Sequence, residues 1–147
     1  MTHQGISIAV PEGWDGRVLF TDAAGEGAVI FQVANFALPP NEGLEPPQEL
    51  PPGEVDPIKA MTGDDLLVMI STDQVVLAGR AGPLRISEQS FLARGSPRIP
   101  HGHDVAEELG CVHGRCVRVT VDFASPPSRD QVDAVNDVLA SLTIERP

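Results

Sequence analysis

The clearest pattern of apolar and polar positions lies in residues 114–144. From Cys116 onward the residues alternate strictly, and a period of two is typical of a strand with one buried face. The apolar face carries Val117, Val119, Val121 and Phe123. The polar face carries Cys116, Arg118, Thr120 and Asp122. We therefore predict a half-buried strand around which the rest of the fold is arranged.

An amphipathic helix is predicted to follow this strand. Pro126 and Pro127 end the strand because proline cannot donate to a strand ladder. Ser128 is the predicted N-cap, and Gln131 completes a capping box. Apolar residues then recur at helical spacing, at Val132, Val135, Val138, Leu139 and Leu142. Polar residues fall mostly on the opposite side, at Asp133, Asn136, Asp137 and Ser141. One stripe of the helix is thus predicted to lie on a sheet.

Apolar runs between proline and glycine turns predict the other elements. Strands are expected at residues 6–10, 17–21, 29–36, 65–70, 84–87 continuing towards Phe91, and 104–112, with a short helix at 58–62. The strand at 104–112 is expected to pair with the next one through a turn at His113 and Gly114. The sequence therefore predicts a single α+β domain over residues 1–147. Its mainly antiparallel sheet is packed by the C-terminal helix and the short middle helix, in an α/β/α sandwich-like arrangement.

An acidic, proline-rich segment interrupts this order at residues 39–57. It holds seven of the 14 prolines and no Lys or Arg. Its five carboxylates are Glu42, Glu45, Glu49, Glu54 and Asp56. Their irregular spacing does not match a calcium-binding loop. The composition predicts a solvated loop inserted between elements of one sheet, and the functional alternative is a docking surface for a basic protein partner.

The charge balance excludes several classes of function. With 21 acidic and 10 basic residues, the net charge of -11 repels phosphate backbones, so we do not expect nucleic acid binding. No apolar run approaches the roughly 18 residues of a membrane span, so no membrane insertion is expected. The first residues lack the features of a signal peptide. We expect an exported or cell-envelope protein if a leader has been removed, and a cytoplasmic protein otherwise.

Short motifs along the whole chain resemble one known family. The first strand runs into the turn Pro11-Glu12-Gly13-Trp14, Gly114 and Arg115 mark a hairpin, and the last helix runs into residues 138–144. This order resembles the PsbP-like α/β/α sandwiches, including the LpqN/LpqT type of actinobacterial lipoprotein. The resemblance implies an exported, non-catalytic accessory or assembly module and brings no catalytic residues with it. This sequence lacks the signal peptide and lipid-attachment cysteine of that pattern.

Catalytic signatures are missing from the sequence. It contains no G-x-S-x-G elbow, Walker loop, G-x-G-x-x-G or H-E-x-x-H motif. We therefore predict a non-catalytic binding or assembly module without a cofactor. The alternative is a zinc-dependent enzyme or zinc-binding protein. Its ligands would come from His101, His103, Cys111, His113 and Cys116. The Cys-x4-Cys spacing is looser than that of common structural zinc sites.

The two cysteines admit a second interpretation, a disulfide across the hairpin. A two-residue turn at His113 and Gly114 places Cys111 directly opposite Cys116, near bridging distance. The same register sets Leu109 beside Arg118. A three-residue turn would instead set Leu109 opposite Val119 and point the cysteines to opposite faces. The two-residue turn thus favours one register, and the alignment of apolar side chains on one face favours the other. The sequence therefore does not decide whether the disulfide forms.

Overall fold

The fold is built mainly from antiparallel strands. The computed structural model describes residues 1–3, 5–21, 28–39, 57–72, 84–112 and 115–145. Within these residues the elements are, in chain order, β1 (Thr2–His3), β2 (Ile6–Ser7), β3 (Asp15–Thr21), β4 (Ala28–Ala34), α1 (Pro57–Ala60), β5 (Leu66–Thr72), a 3-10 turn (Glu88–Ser90), β6 (Asp104–Val112), β7 (Arg115–Phe123), α2 (Arg129–Ala140) and β8 (Thr143–Ile144).

Five of the strands form the main sheet, in the order β3-β4-β5-β7-β6. All its neighbouring strands are antiparallel. A small sheet of order β1-β2-β8 ties the two ends of the chain together. The strand predicted from strict alternation is β7, which lies between β5 and β6. The predicted α+β class with a mainly antiparallel sheet is confirmed.

One face of the main sheet forms the larger core. The predicted apolar face of β7 is fully buried there, together with the facing side chains of β4 and β5. Helix α2 covers this face through Val135, Val138 and Leu139, each at most 2% exposed. Val132 and Leu142 pack at the edge of the same cluster. The predicted helical stripe is therefore the stripe that α2 buries.

The other face carries a smaller apolar cluster and the short helix α1. Ala34, Met61 and Leu67 are buried in it. Partly buried side chains packed against them are Phe36, Leu38, Ile58, Met69 and Ala124. Because Ile58 belongs to α1, the two helices lie on opposite faces of the sheet, as the sandwich-like prediction required.

The start of α2 follows the sequence closely. The Ser128 amide donates to Gln131 Oε1 at 2.8 Å, and the Gln131 amide donates to Ser128 Oγ at 3.3 Å. Each side chain thereby satisfies a backbone donor that the first helical turn leaves without an intrahelical partner. The predicted capping box is confirmed, and it sets the boundary between the proline loop and the helix.

The first predicted strand is much shorter than expected. Residues 6–10 were expected to form one strand, but β2 ends at Ser7 and belongs to the small sheet. The Ala9 amide donates to Ser141 Oγ at 3.0 Å instead of to a strand neighbour. Ile8 still bonds Met1, because the Ile8 amide donates to the Met1 carbonyl at 2.9 Å and the Met1 amino group donates to the Ile8 carbonyl at 2.6 Å. Ile6 and Ile8 are both buried, so their alternation reflects a face packed on the core, and the strand pairing does not continue beyond Ile8.

The predicted strand at residues 84–87 is wrong. The backbone of Ile86 bonds a side chain instead of a neighbouring strand. The Ile86 amide donates to Asn136 Oδ1 at 2.9 Å, and the Ile86 carbonyl accepts from Asn136 Nδ2 at 3.2 Å. The Ser87 amide then donates to Ser90 Oγ, and this local bond turns the chain into the 3-10 turn. Only Phe91 returns to a strand-like pairing, as a bridge to Ala106.

The hairpin of β6 and β7 takes the register of a two-residue turn. Cys111 pairs with Cys116, and Leu109 pairs with Arg118. The argument for a three-residue turn, which placed Leu109 opposite Val119, is thus wrong. It failed because β6 is an edge strand whose core-facing positions need not be large and apolar. Leu84 fills the space beside Gly110, and Ser90 Oγ donates to Glu108.

Candidate functional site

A buried histidine–aspartate pair lies at the start of β6. His103 Nδ1 and Asp122 Oδ1 are 2.5 Å apart. Their side chains are 12% and 3% exposed, so solvent screens the pair weakly. In the part of the chain that the structure describes, the His103 ring forms no other hydrogen bond. This pair is the best candidate for a site that orients a polar group.

The pair is assembled by a strand and a turn. Asp122 lies on the polar face of β7, in register with Leu67 on one side and Val105 on the other. His103 reaches it from the turn before β6, where its amide donates to the Pro100 carbonyl at 3.1 Å. Gly102 has a φ of +88°, a conformation that side chains other than glycine rarely adopt. The glycine therefore allows the turn that brings His103 over the sheet.

The contact with Asp122 fixes the orientation of the His103 ring, but no nucleophilic side chain of the described residues bonds that ring. A carboxylate at Nδ1 holds an imidazole in one orientation and leaves Nε2 as the second polar atom. Ser96 lies in the same cleft as His103. Its hydroxyl accepts from the Arg98 amide at 3.4 Å, with no bond to His103. Among the described residues, the arrangement is thus that of an oriented hydrogen-bonding group without a paired hydroxyl or thiol.

A cleft of about 430 Å³ opens beside this pair. Its wall is the stretch from Arg94 to Asp104, closed on one side by Pro126. Arg94 donates from Nε and Nη2 to both oxygens of Asp104, at 3.3 and 3.1 Å. His101 is exposed at the mouth. Arg94, His101 and His103 are the groups here that can donate to an acceptor-rich ligand.

The proposed zinc cluster is not assembled as a site. Cys111 and Cys116 are joined by a disulfide with an S–S distance of 2.00 Å, and a disulfide sulfur is not the thiolate that binds zinc. His103 points to Asp122, and His113 lies outside the described residues. No group of three or more His, Cys, Asp or Glu side chains in the described ranges lies close enough to hold a metal ion.

The five acidic residues predicted to bind a partner lie outside the described residues: Glu42, Glu45, Glu49, Glu54 and Asp56. The two ends of their segment are described. Arg17 Nη1 donates to the Pro39 carbonyl at 2.7 Å, and Pro57 begins α1. Leu38 and Ile58 pack on the same apolar cluster. The segment therefore leaves and rejoins the sheet at one place.

Asp122 is the residue that sequence reasoning overlooked. The alternation placed it on the polar face of β7, where a carboxylate is ordinarily solvated. Its burial involves the turn at His103, 19 residues earlier in the sequence, whose ring contacts the carboxylate. The only available signal was the pair of histidines at His101 and His103 directly before the partner strand, and we had assigned them to a metal site.

The comparisons with known proteins add no family. No protein-family model, curated protein or solved structure matches this chain. Within the described residues, no helix has both the length and the apolar character needed to cross a membrane.

Proposed function

We propose that the protein is a non-catalytic binding or assembly module that docks a basic protein partner on its acidic segment, residues 42–56. The observation that carries this proposal is the fixing of both ends of the segment on one apolar cluster. A loop whose ends are held together loses less conformational freedom on docking than a free chain of the same length. Its five carboxylates follow one another within residues 42–56 of the sequence.

The anchoring contacts are specific. Arg17 is held from both sides, because its Nε donates to Gln32 Oε1 at 2.6 Å while Nη1 bonds Pro39. Gln32 is only 6% exposed, so this polar link is fixed to the middle of the sheet. Arg17 thus ties the entry of the segment to the scaffold, and Ile58 ties its exit.

Charge supports a basic partner. Residues 39–57 carry five carboxylates and no cation. Such a concentration of negative charge speeds the encounter with a positively charged surface and makes binding sensitive to salt. The non-catalytic part of the proposal is supported by the disulfide, which removes both thiols as nucleophiles, and by the resemblance to PsbP-like accessory modules.

Two variants with the same net charge test the docking surface. The segment variant replaces its carboxylates with amides, at Glu42, Glu45, Glu49, Glu54 and Asp56. The surface variant makes the same change at five exposed carboxylates elsewhere: Glu12, Asp64, Asp133, Asp137 and Glu145. The probe is a fluorescent lysine-rich peptide, whose affinity is measured by anisotropy at low and at physiological salt.

We expect the segment variant to bind the peptide about tenfold more weakly at low salt, since close opposite charges dominate such encounters. The surface variant should lose less than about threefold, because its carboxylates come from four separate parts of the sequence and are not concentrated in one segment. Equal losses in the two variants would show that net charge alone, and not the segment, determines the affinity.

A further inference from the structure

A second cleft adjoins the one beside His103. It measures about 370 Å³ and shares Arg94, Asp104 and Pro126 with the first. Its other walls are mostly apolar, formed by Phe91, Leu92 and Pro127, with Glu88 at its border. The two clefts are therefore two arms of one depression, which we call the Arg94 cleft, with a polar arm and an apolar arm that meet at the Arg94–Asp104 ion pair.

The apolar arm is part of the fixed scaffold. The Phe91 ring stacks on Phe123 with the centroids 5.9 Å apart, and Phe123 is fully buried. The Leu92 amide donates to the Val105 carbonyl at 2.8 Å, which holds this stretch against the edge of β6. Since small-molecule sites are largely pre-formed concave surfaces, this rigidity suits a planar apolar group.

The polar arm is lined by one arginine, two histidines and one carboxylate: Arg94, His101, His103 and Asp104. In a protein of net charge -11, it thus brings together three side chains that can donate to an anion. Arg98, the other arginine of this stretch, is engaged by Glu107. Arg94 donates Nε and Nη2 to Asp104, while Nη1 has no partner among the described residues. Asp104 thus engages two nitrogens of the guanidinium, and the third, on a side chain that is 76% exposed, is available to a ligand at the junction of the two arms.

We propose that the Arg94 cleft binds a small aromatic acid. Its ring lies in the apolar arm between Phe91, Leu92 and the two prolines, and its carboxylate or sulfonate accepts from Arg94. The exposed His101 and the oriented ring of His103 complete the polar side. Glu88, on the border of the apolar arm, disfavours the reverse orientation because it would repel the anionic head. The residues that line this site are not those of the acidic segment, and the proposal does not rest on the docking surface.

The probe is 8-anilinonaphthalene-1-sulfonate, which carries an aromatic ring system and one sulfonate. N-phenyl-1-naphthylamine has the same rings without the charge and is the matched ligand control. Titration of the intact, isotope-labelled chain should shift backbone amide signals in residues 91–104 and at Ala124 and Ser125, next to the prolines. The absence of a saturable shift at millimolar probe, or shifts concentrated on α2, would overturn the proposal.

Variants test the role of the guanidinium. Arg94→Gln should weaken binding of the sulfonate probe about tenfold and leave that of the uncharged probe within about twofold. Arg94→Gln/Asp104→Asn should remain at least fivefold weaker than the unmodified protein, which excludes repulsion by an uncompensated Asp104 as the cause. Arg129→Gln, at a 93% exposed arginine on α2, is the control and should change neither affinity.

Folding is checked by thermal unfolding and by the amide spectrum of each variant. The proposal fails if Arg94→Gln and Arg129→Gln bind the sulfonate probe equally well. It also fails if Arg94→Gln weakens both probes alike, since the anionic head would then make no use of Arg94.

Discussion

At the scale of single residues, polar side chains hold the turns and strands of this protein in place. Asp122 holds the turn at His103, Asn136 holds the backbone of Ile86, and Gln32 holds Arg17 across β3 and β4. Burying a polar group costs free energy unless it is hydrogen-bonded, so each of these contacts also satisfies a buried group. They position the candidate surfaces more directly than the apolar core does.

The His103–Asp122 pair should contribute measurably to stability. His103→Ala removes a partner of a carboxylate that is 2% exposed, and we expect it to lower the free energy of unfolding by about 1–3 kcal/mol. His101→Ala, at an exposed ring, is the control and should cost less than about 0.5 kcal/mol. A double-mutant cycle with Asp122→Asn should give a coupling of at least about 0.5 kcal/mol. Additive effects of the two substitutions would contradict the pairing.

The cysteines give a prediction about oxidation state. Unreduced protein, unfolded in denaturant, should show no reactive thiol, and it should show two after reduction, because Cys111 and Cys116 form the disulfide. Reduction should lower the free energy of unfolding by about 2 kcal/mol, since the closed loop is short. Two free thiols in the unreduced protein would contradict the bridge.

At the scale of elements, the sequence predicted those with strong local signals. Strict alternation identified β7, and the capping box with its apolar stripe identified α2. Residues 84–87 were misread because Ile86 packs on the core while its backbone bonds go to Asn136, and the strand expected at 6–10 is shorter because the Ala9 amide bonds Ser141. Tertiary contacts of this kind leave no periodicity in the sequence, and for the same reason neither the His103–Asp122 pair nor the Arg94 cleft could be predicted.

Helix α2 should be essential to the fold through one face only. Leu139→Asp introduces a carboxylate at a position that is 2% exposed in the core, and we expect it to cost several kcal/mol, about 3 or more. Asp137→Ala, two residues away on the exposed side, should change the free energy of unfolding by less than about 0.5 kcal/mol. Denaturant titration measures both. Equal losses would mean that the helix buries a different face.

At the scale of the whole molecule, the apolar scaffold and the acidic segment are different parts of the sequence. The two-sided sheet holds the apolar residues in two clusters on its opposite faces. Five carboxylates are concentrated in residues 42–56, while the Arg94 cleft holds the donors of Arg94 and two histidines beside the carboxylates of Asp104 and Glu88. The fixed ends of the acidic segment and its concentrated negative charge are the basis for the proposed module.

The most direct test of this account is the salt dependence of lysine-rich peptide binding to the intact chain and to a variant that lacks residues 41–52. The deletion leaves both anchors, Arg17 with Pro39 and Ile58 in α1, in place, so thermal unfolding should be nearly unchanged. We predict that the intact chain binds the peptide with an affinity that falls steeply with salt, and that the deletion, which removes Glu42, Glu45 and Glu49, weakens this binding severalfold and makes it less sensitive to salt. Unchanged affinity and salt dependence in a folded deletion variant would contradict the docking surface.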